Sequence, residues 1–308
     1  MHPVIQGFVE SVQIPRESSG PLEGIQEIRE RPVLSIAIRR DAIRSLDLIQ
    51  PFSILLETLG YPTDVDLYCS LWGDLGEKEL TLLDYLRQRV GSFGFLSNAP
   101  ASHGFLLAAG ANRVVLGDHV GFRPFDRRVK TKNHEITYQD LRCFQRNFPK
   151  QNLLDSFLPM EVLPLLNAAE SAAVRLKRAV AGRDKTINIT KILERYVESP
   201  EGLEVELSRS EVKDFGLPVT YGEEEGILGS MRELQKGYTT LVCMSTSMEG
   251  THQFTQGNPS GVPMNREYNF KARAELQGIV ESASMRLICF RVTGLPPENT
   301  EEVVWVQK

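Results

Sequence analysis

The sequence predicts an α/β fold with a mainly parallel sheet and a small β-rich appendage at its C-terminal end. Between residues 33 and 97, short apolar runs typical of strands alternate with helical stretches of about ten to fifteen residues. This spacing is typical of βαβ crossovers, which place parallel strands under a layer of helices. The last part of the chain instead carries successive β-branched or alternating runs, broken by Gly and Pro.

Taken in order, the chain divides into three predicted parts. Residues 1–30 are expected to form an N-terminal arm, because they are rich in Pro, Gly, Ser and Glu and residues 15–21 show no helical or strand periodicity. Residues 31–222 are expected to form the core domain. Within it the predicted strands are 33–38, 65–71, 93–97 and 113–116, and the predicted helices are 45–59, 77–90, 105–111 and much of 137–198.

The third part, residues 223–308, is the predicted β-rich appendage. Composition changes near residues 222–225, and from there the chain is dominated by residues that favour strands. The four runs are 239–244, 269–279, 285–292 and 303–306.

Composition limits the classes of function. The 308 residues carry a formal net charge of −5, which argues against nucleic-acid binding because phosphate recognition needs an excess of Lys and Arg. The four cysteines are widely spaced and form no CxxC pair, so we expect buried thiols in a reducing compartment, with no metal and no cofactor. No signal segment and no long apolar run is evident, which predicts a cytoplasmic protein without a membrane span.

Residues 98–111 are the most informative segment about function. Ser102 lies where a predicted strand turns into an apolar helix, flanked by Ala101 and by His103-Gly104. A serine at such a turn presents its hydroxyl beside free backbone N–H groups, although the same residue also serves as an ordinary helix N-cap. A second turn, at Gly73-Asp74, ends the preceding predicted strand. In a parallel sheet both turns leave the same edge, so Gly73, Asp74 and His103 are candidate oxyanion-hole residues.

This pattern resembles the proteolytic subunit of the Clp protease and its Clp-crotonase relatives. The resemblance rests on Ala101-Ser102-His103-Gly104 with the helix that follows, on 71–74, and on 207–217. It covers roughly residues 31–222 and implies a ββα spiral core with Ser102 as the nucleophile. The family places a histidine on the strand after the helix, where this chain has Phe122 or Arg123.

A serine nucleophile needs a base, and the sequence leaves its identity open. His119, at the start of the matching segment, is the selected candidate. The others are His103, His134, Lys130, Lys132 and Lys150.

Two classes of function follow from the resemblance. One is a serine-type endopeptidase acting on a peptide or protein substrate. The other is a catalytically inactive scaffold or regulatory subunit. In either case the family implies a homo-oligomer, built as a ring or from trimers, and an ATPase or regulatory partner. An acyl-CoA site of crotonase type is a third possibility, for which no adenine-binding signature is evident.

Overall fold

The computed structural model describes most of the chain, and all structural statements concern these parts. The described residues are 19–39, 46–72, 77–99, 104–122, 128–130, 135–149, 159–181, 187–196, 206–241, 245–257, 263–295 and 300–307. They form an α/β fold around a large mixed sheet, so the predicted α/β class is confirmed.

The strands and helices are numbered in chain order within the described residues. The strands are β1 (Val33–Ile38), β2 (Asp64–Leu71), β3 (Ser92–Ser97), β4 (Arg113–Leu116), β5 (Gly121–Phe122), β6 (Arg128–Lys130), β7 (Glu135–Thr137), β8 (Leu207–Ser208), β9 (Val219–Tyr221), β10 (Ser245–Gly257), β11 (Pro263–Ser282), β12 (Arg286–Leu295) and β13 (Thr300–Gln307). The helices are α1 (Ser19–Arg29), α2 (Ile49–Thr58), α3 (Glu77–Arg89), α4 (Phe105–Gly110), α5 (Tyr138–Asn147), α6 (Pro159–Val180), α7 (Ile189–Tyr196), α8 (Arg209–Asp214) and α9 (Leu228–Leu241).

The main sheet has the strand order β13-β12-β11-β1-β2-β3-β4-β9, and β10 pairs with β11. Strands β1, β2, β3, β4 and β9 pair in parallel. The pairings that involve β10 to β13 are antiparallel. A mainly parallel sheet therefore describes only the part built from β1 to β4 and β9, and the whole sheet is mixed.

The parallel and antiparallel parts meet where β11 pairs with β1, with Ile36 opposite Val280. The sheet is thus continuous across the predicted boundary at residues 222/223. The sequence pattern identified β11, β12 and β13, but the strand-like run predicted at 239–244 is wrong where it is described, because residues 239–241 end helix α9. Periodicity also does not tell which strand of the core a distant strand will pair with.

Helices cover both faces of the parallel strands. On one face, α2, α3 and α4 pack against alternate strand residues such as Leu34 and Leu67. On the other, α1 and α9 pack against Ala37, Tyr68 and Leu96. Because both faces are buried, these strands are nearly continuous apolar runs, which is why the sequence revealed them.

Helix α1 lies within the predicted N-terminal arm. Its residues Leu22 and Ile25 are fully buried against the sheet, so residues 19–29 are an integral part of the core layer, and residues 1–18 lie outside the described part. Two buried apolar positions among Gly and Glu residues are too few to give a helical period in the sequence.

A buried ion pair fixes the end of α1. Arg29 Nε donates to Asp66 Oδ2 at 2.7 Å, and the two side chains are 3% and 0% exposed. A second guanidinium nitrogen bonds Glu225, which precedes α9. Gly94 on β3 makes room for the carboxylate, because a Cβ there would lie 2.1 Å from Asp66 Oδ1.

A second buried polar network joins the two parts of the sheet. The Tyr238 hydroxyl on α9 contacts Ser35 of β1 and donates to Glu281 of β11. Glu281 also accepts a hydrogen bond from Arg286 of β12. Burial, together with the Glu281 charge, holds the pKa of Tyr238 well above its usual range, so the hydroxyl stays a donor.

Replacing Arg29 by Met should destabilise the protein strongly, because the buried Asp66 carboxylate would lose its hydrogen-bonded partner and keep only Arg31, 3.9 Å away. We expect the free energy of unfolding to fall by about 3–5 kcal/mol, measured by urea denaturation. Arg178→Met is the control, since the Arg178–Asp84 pair is exposed and such pairs contribute about 0–1 kcal/mol. Equal losses in the two variants would contradict a stabilising role for the buried pair.

The thiols should differ in reactivity. Cys69 and Cys289 are buried, as predicted, whereas Cys143 is partly exposed; Cys243 lies outside the described residues. Burial raises the pKa of Cys289 to about 12 and that of Cys69 well above its ordinary value. At pH 8, iodoacetamide should alkylate Cys143 first and reach Cys69 and Cys289 only on unfolding, as mapped by peptide mass spectrometry. Alkylation of Cys69 at the rate of Cys143 in folded protein would refute this.

Candidate functional site

The candidate site lies at the carboxyl edge of the parallel strands. Strands β2, β3 and β4 are neighbours and end at Leu71, Ser97 and Leu116. The segments after them therefore leave the sheet at one edge, where binding sites of open α/β sheets usually form. This arrangement agrees with the expectation that the turns after residues 71 and 97 share an edge.

Most of the predicted site residues lie outside the described part of the chain. These are Gly73, Asp74, Ser102, His103, His134, Lys132 and Lys150. The backbone of Lys130 belongs to β6, but its side chain is not described. His119 is described in full, and so are the residues that flank the two turns: Trp72, Ala99 and Gly104.

The start of the β3 turn is fixed by Ser97. Its hydroxyl donates to the Cys69 carbonyl at 2.8 Å and accepts a hydrogen bond from the Ala99 N–H at 3.3 Å. Ser97 and Ala99 are both fully buried. The chain that leads toward Ser102 therefore leaves the sheet from a rigid point.

The far end of this turn is fixed by close packing at Gly104, directly before α4. A Cβ at this position would lie 3.2 Å from the Phe95 ring and 3.3 Å from Leu71 Cδ1. A side chain would thus press on both neighbouring strands, and glycine avoids this. All residues of α4 are buried, as expected for the apolar helix predicted at 105–111.

Glu79 is a buried carboxylate that sequence reasoning missed. It lies on α3, is 4% exposed, and its Oε1 accepts the Leu107 N–H at 3.0 Å. The Leu107 N–H lies in the first turn of α4 and has no carbonyl partner within that helix, so Glu79 supplies the acceptor. Burial of Glu79 could have been predicted from the sequence, because Glu79 lies on the same helical face as Leu83, Leu86 and Val90.

Asn98 ties the end of β3 to the segment after β4. It is 1% exposed, and its Oδ1 accepts the His119 backbone N–H at 3.1 Å. Gly117 allows this approach, since a Cβ there would lie 2.1 Å from Asn98 Oδ1. Sequence reasoning also missed Asn98; its only signal was a polar residue directly after a buried strand.

His119 carries the only described imidazole among the candidate bases. Its side chain is 67% exposed, and Nε2 lies 3.6 Å from Asp118 Oδ2. Arg232 of α9 donates to the same carboxylate oxygen, and this hydrogen bond lowers the pKa of Asp118.

A separate cavity of ≈ 260 Å³ lies at the opposite edge of the sheet, where β3 begins. Its charged lining residue, Arg87, donates to the carbonyls of Gly110 and Ala179 at the ends of α4 and α6. Arg87 therefore serves there to pair carbonyls that helix ends leave free.

Across the described ranges, no cluster of His, Cys, Asp and Glu is suited to hold a metal ion, and no described helix has the length and apolar character needed to cross a membrane. Comparison with models of protein families, with curated proteins and with solved structures gave no match.

Replacing Glu79 should loosen the start of α4. In Glu79→Leu the Leu107 N–H loses its acceptor, a cost worth roughly a tenfold change in local opening, so the amides of residues 105–109 should exchange hydrogen about tenfold faster. Glu79→Gln retains an acceptor and should exchange nearly as the wild type does. The exposed Glu57→Gln serves as a control. Unchanged exchange in Glu79→Leu would show that this contact does not hold the helix.

Proposed function

We propose that this chain is a serine-type hydrolase of the Clp proteolytic-subunit kind, acting on peptide bonds. Ser102 is the nucleophile, His119 is the base, and backbone N–H groups at Gly73, Asp74 and His103 form the oxyanion hole. The observation that carries the proposal is the hydrogen bond from the His119 N–H to Asn98 Oδ1. This bond holds the segment that carries His119 at the end of β3, from which the chain continues to Ser102.

The length of the chain supports this pairing. Ser102 follows Asn98 by four residues and precedes Gly104 by two. Ser102 therefore belongs to the short connection between the end of β3 and the start of α4. His119 is held at the neighbouring strand end, and Asp118, which Arg232 orients, lies beside it. We therefore assign the nucleophile, the base and the carboxylate to segments that follow the neighbouring strands β3 and β4.

The order of the strands supports the finer fold proposal, a Clp-crotonase-like spiral core. Strands β1, β2, β3 and β4 are adjacent in chain order, and α2, α3 and α4 pack on one face of them. Successive right-handed crossovers produce this arrangement. The expected ring or trimer-based homo-oligomer and the ATPase or regulatory partner are proposals that follow from the resemblance alone. The cytoplasmic location is a proposal that follows from the sequence composition.

The reaction proceeds by acyl transfer. Ser102 Oγ forms a bond to the peptide carbonyl carbon, the carbonyl π electrons move to oxygen, and the Oγ proton passes to the His119 imidazole. The oxyanion then reforms the carbonyl, the C–N bond breaks, and the leaving amine takes the proton from His119. Water, deprotonated by the same imidazole, releases the acyl group and restores Ser102.

A specific observation favours the alternative, an inactive scaffold or regulatory subunit. The His119 side chain is 67% exposed, whereas catalytic bases usually lie in a site from which water is partly excluded. In a scaffold, the hydrogen bond between Asn98 and the His119 N–H would only stabilise the ends of β3 and β4.

A fluorophosphonate probe should separate the two functions. The wild type should be labelled at Ser102 and Ser102→Ala should not, while His119→Gln should label about 10²–10⁴-fold more slowly because it lacks the base. Ser53→Ala on α2 is the matched control and should label like the wild type. Labelling is measured by intact mass on protein whose fold is verified by circular dichroism.

Two results would refute catalysis in favour of the scaffold. One is a folded wild type that is not labelled, and the other is labelling that persists in Ser102→Ala.

A further inference from the structure

The cavity at the start of β3 is large enough for a small ligand and open to solvent. Its volume is ≈ 260 Å³, whereas an engineered protein cavity of about 150 Å³ already takes up benzene. Gly91 and Asn112, which both line it, are exposed, so a molecule can enter from that side. All of its lining residues belong to the described part of the chain.

Arg87 gives this cavity a positive charge and unused donors. Its Nη2 group donates to the carbonyl oxygens of Gly110 and Ala179, while Nε and Nη1 have no hydrogen-bond partner in the described structure. Asp84, one helical turn earlier, pairs with Arg178 instead. Because a guanidinium stays charged at every ordinary pH, Arg87 lines the cavity as a cation with free N–H groups.

Asn112 and Ser92 add two further donors to the lining. Asn112 Oδ1 accepts the Phe93 N–H at 3.2 Å, and this fixes the amide, since a flipped amide would set its NH₂ group against that donor. The backbone N–H of Ser92 donates to the Thr63 carbonyl at 3.0 Å. Neither Asn112 Nδ2 nor Ser92 Oγ has a partner among the described residues, so both remain available to a ligand.

The charges around the cavity select the class of ligand. A guanidinium with an amide and a hydroxyl beside it favours an anion that offers several acceptor lone pairs. Helices α3, α4 and α6 all end at the cavity, where Gly91, Gly110 and Ala181 line it. A helix C-terminus carries a partial negative charge of up to about half an elementary charge, so these ends oppose a doubly charged phosphate. One guanidinium is then matched best by a single negative charge.

We propose that this cavity binds the carboxylate group of a small molecule, with Arg87, Asn112 and Ser92 as its hydrogen-bond donors. The site lies at the edge of the sheet opposite to the proposed catalytic edge. It therefore does not depend on the proposed function.

A titration of the full-length ¹⁵N-labelled protein at pH 7 tests the proposal. Acetate and benzoate are the probes, and the Arg87 Nε–H and Asn112 side-chain amide resonances should shift until they saturate. The neutral isosteres acetamide and benzamide should bind at least about tenfold more weakly, because they cannot form a charge-assisted hydrogen bond with the guanidinium. Inorganic phosphate should also bind more weakly than the carboxylates.

Asn112→Asp is the informative variant. It keeps an acceptor for the Phe93 N–H, removes the Nδ2 donor and adds a negative charge, so carboxylate affinity should fall at least about tenfold. Asn188→Asp is the matched control, because Asn188 is also exposed and its Oδ1 accepts the Lys191 N–H at 2.9 Å, outside the cavity. This control should bind the probes like the wild type.

Three results would overturn the proposal. The first is that neither carboxylate shifts the Arg87 and Asn112 resonances of the folded wild type. The second is equal affinity for carboxylates and amides, or tighter binding of phosphate. The third is unchanged carboxylate affinity in folded Asn112→Asp. None of these results would alter the labelling of Ser102, so the proposed function is tested separately.

Discussion

Strands β1 to β4 are buried on both faces, and the need to cover them determines much of the remaining structure. One face is covered by the crossover helices α2, α3 and α4, which the parallel connections supply. The other face requires helices from outside that series, and α1 and α9 provide them. A segment near the start of the chain and one that follows the parallel strands are thus brought together over the same strands.

The burial of both faces of these strands also explains where charged residues lie inside the molecule. A carboxylate on a strand with two covered faces has no route to water, so Asp66 is paired with Arg29 and Glu281 with Arg286. Both pairs involve the helices of the second face: Arg29 belongs to α1, and Tyr238 of α9 bonds Glu281. The polar contacts therefore define which helix lies where, while the apolar contacts provide most of the stability.

The sequence predicted the elements whose pattern is local. Apolar runs identified β1 to β4, and the small, apolar segment after β3 identified α4. It did not predict the β1–β11 pairing, because that contact joins residues distant in the chain and leaves no periodic signature. At the site, His119 was selected from the sequence, whereas Glu79 and Asn98 were missed because their importance depends on burial against neighbours. Ser102 and Gly73 lie outside the described residues, so their roles remain proposals.

The pairing of β1 with β11 has a consequence for synthesis of the chain. Ile36 finds its antiparallel neighbour Val280 only after the long intervening part of the chain has been synthesised, so β1 leaves the ribosome with one edge unpaired. An apolar strand with an open edge readily adds strands from other chains. A nascent chain of this kind would depend on fast synthesis of β11, or on a chaperone that shields β1 until β11 emerges.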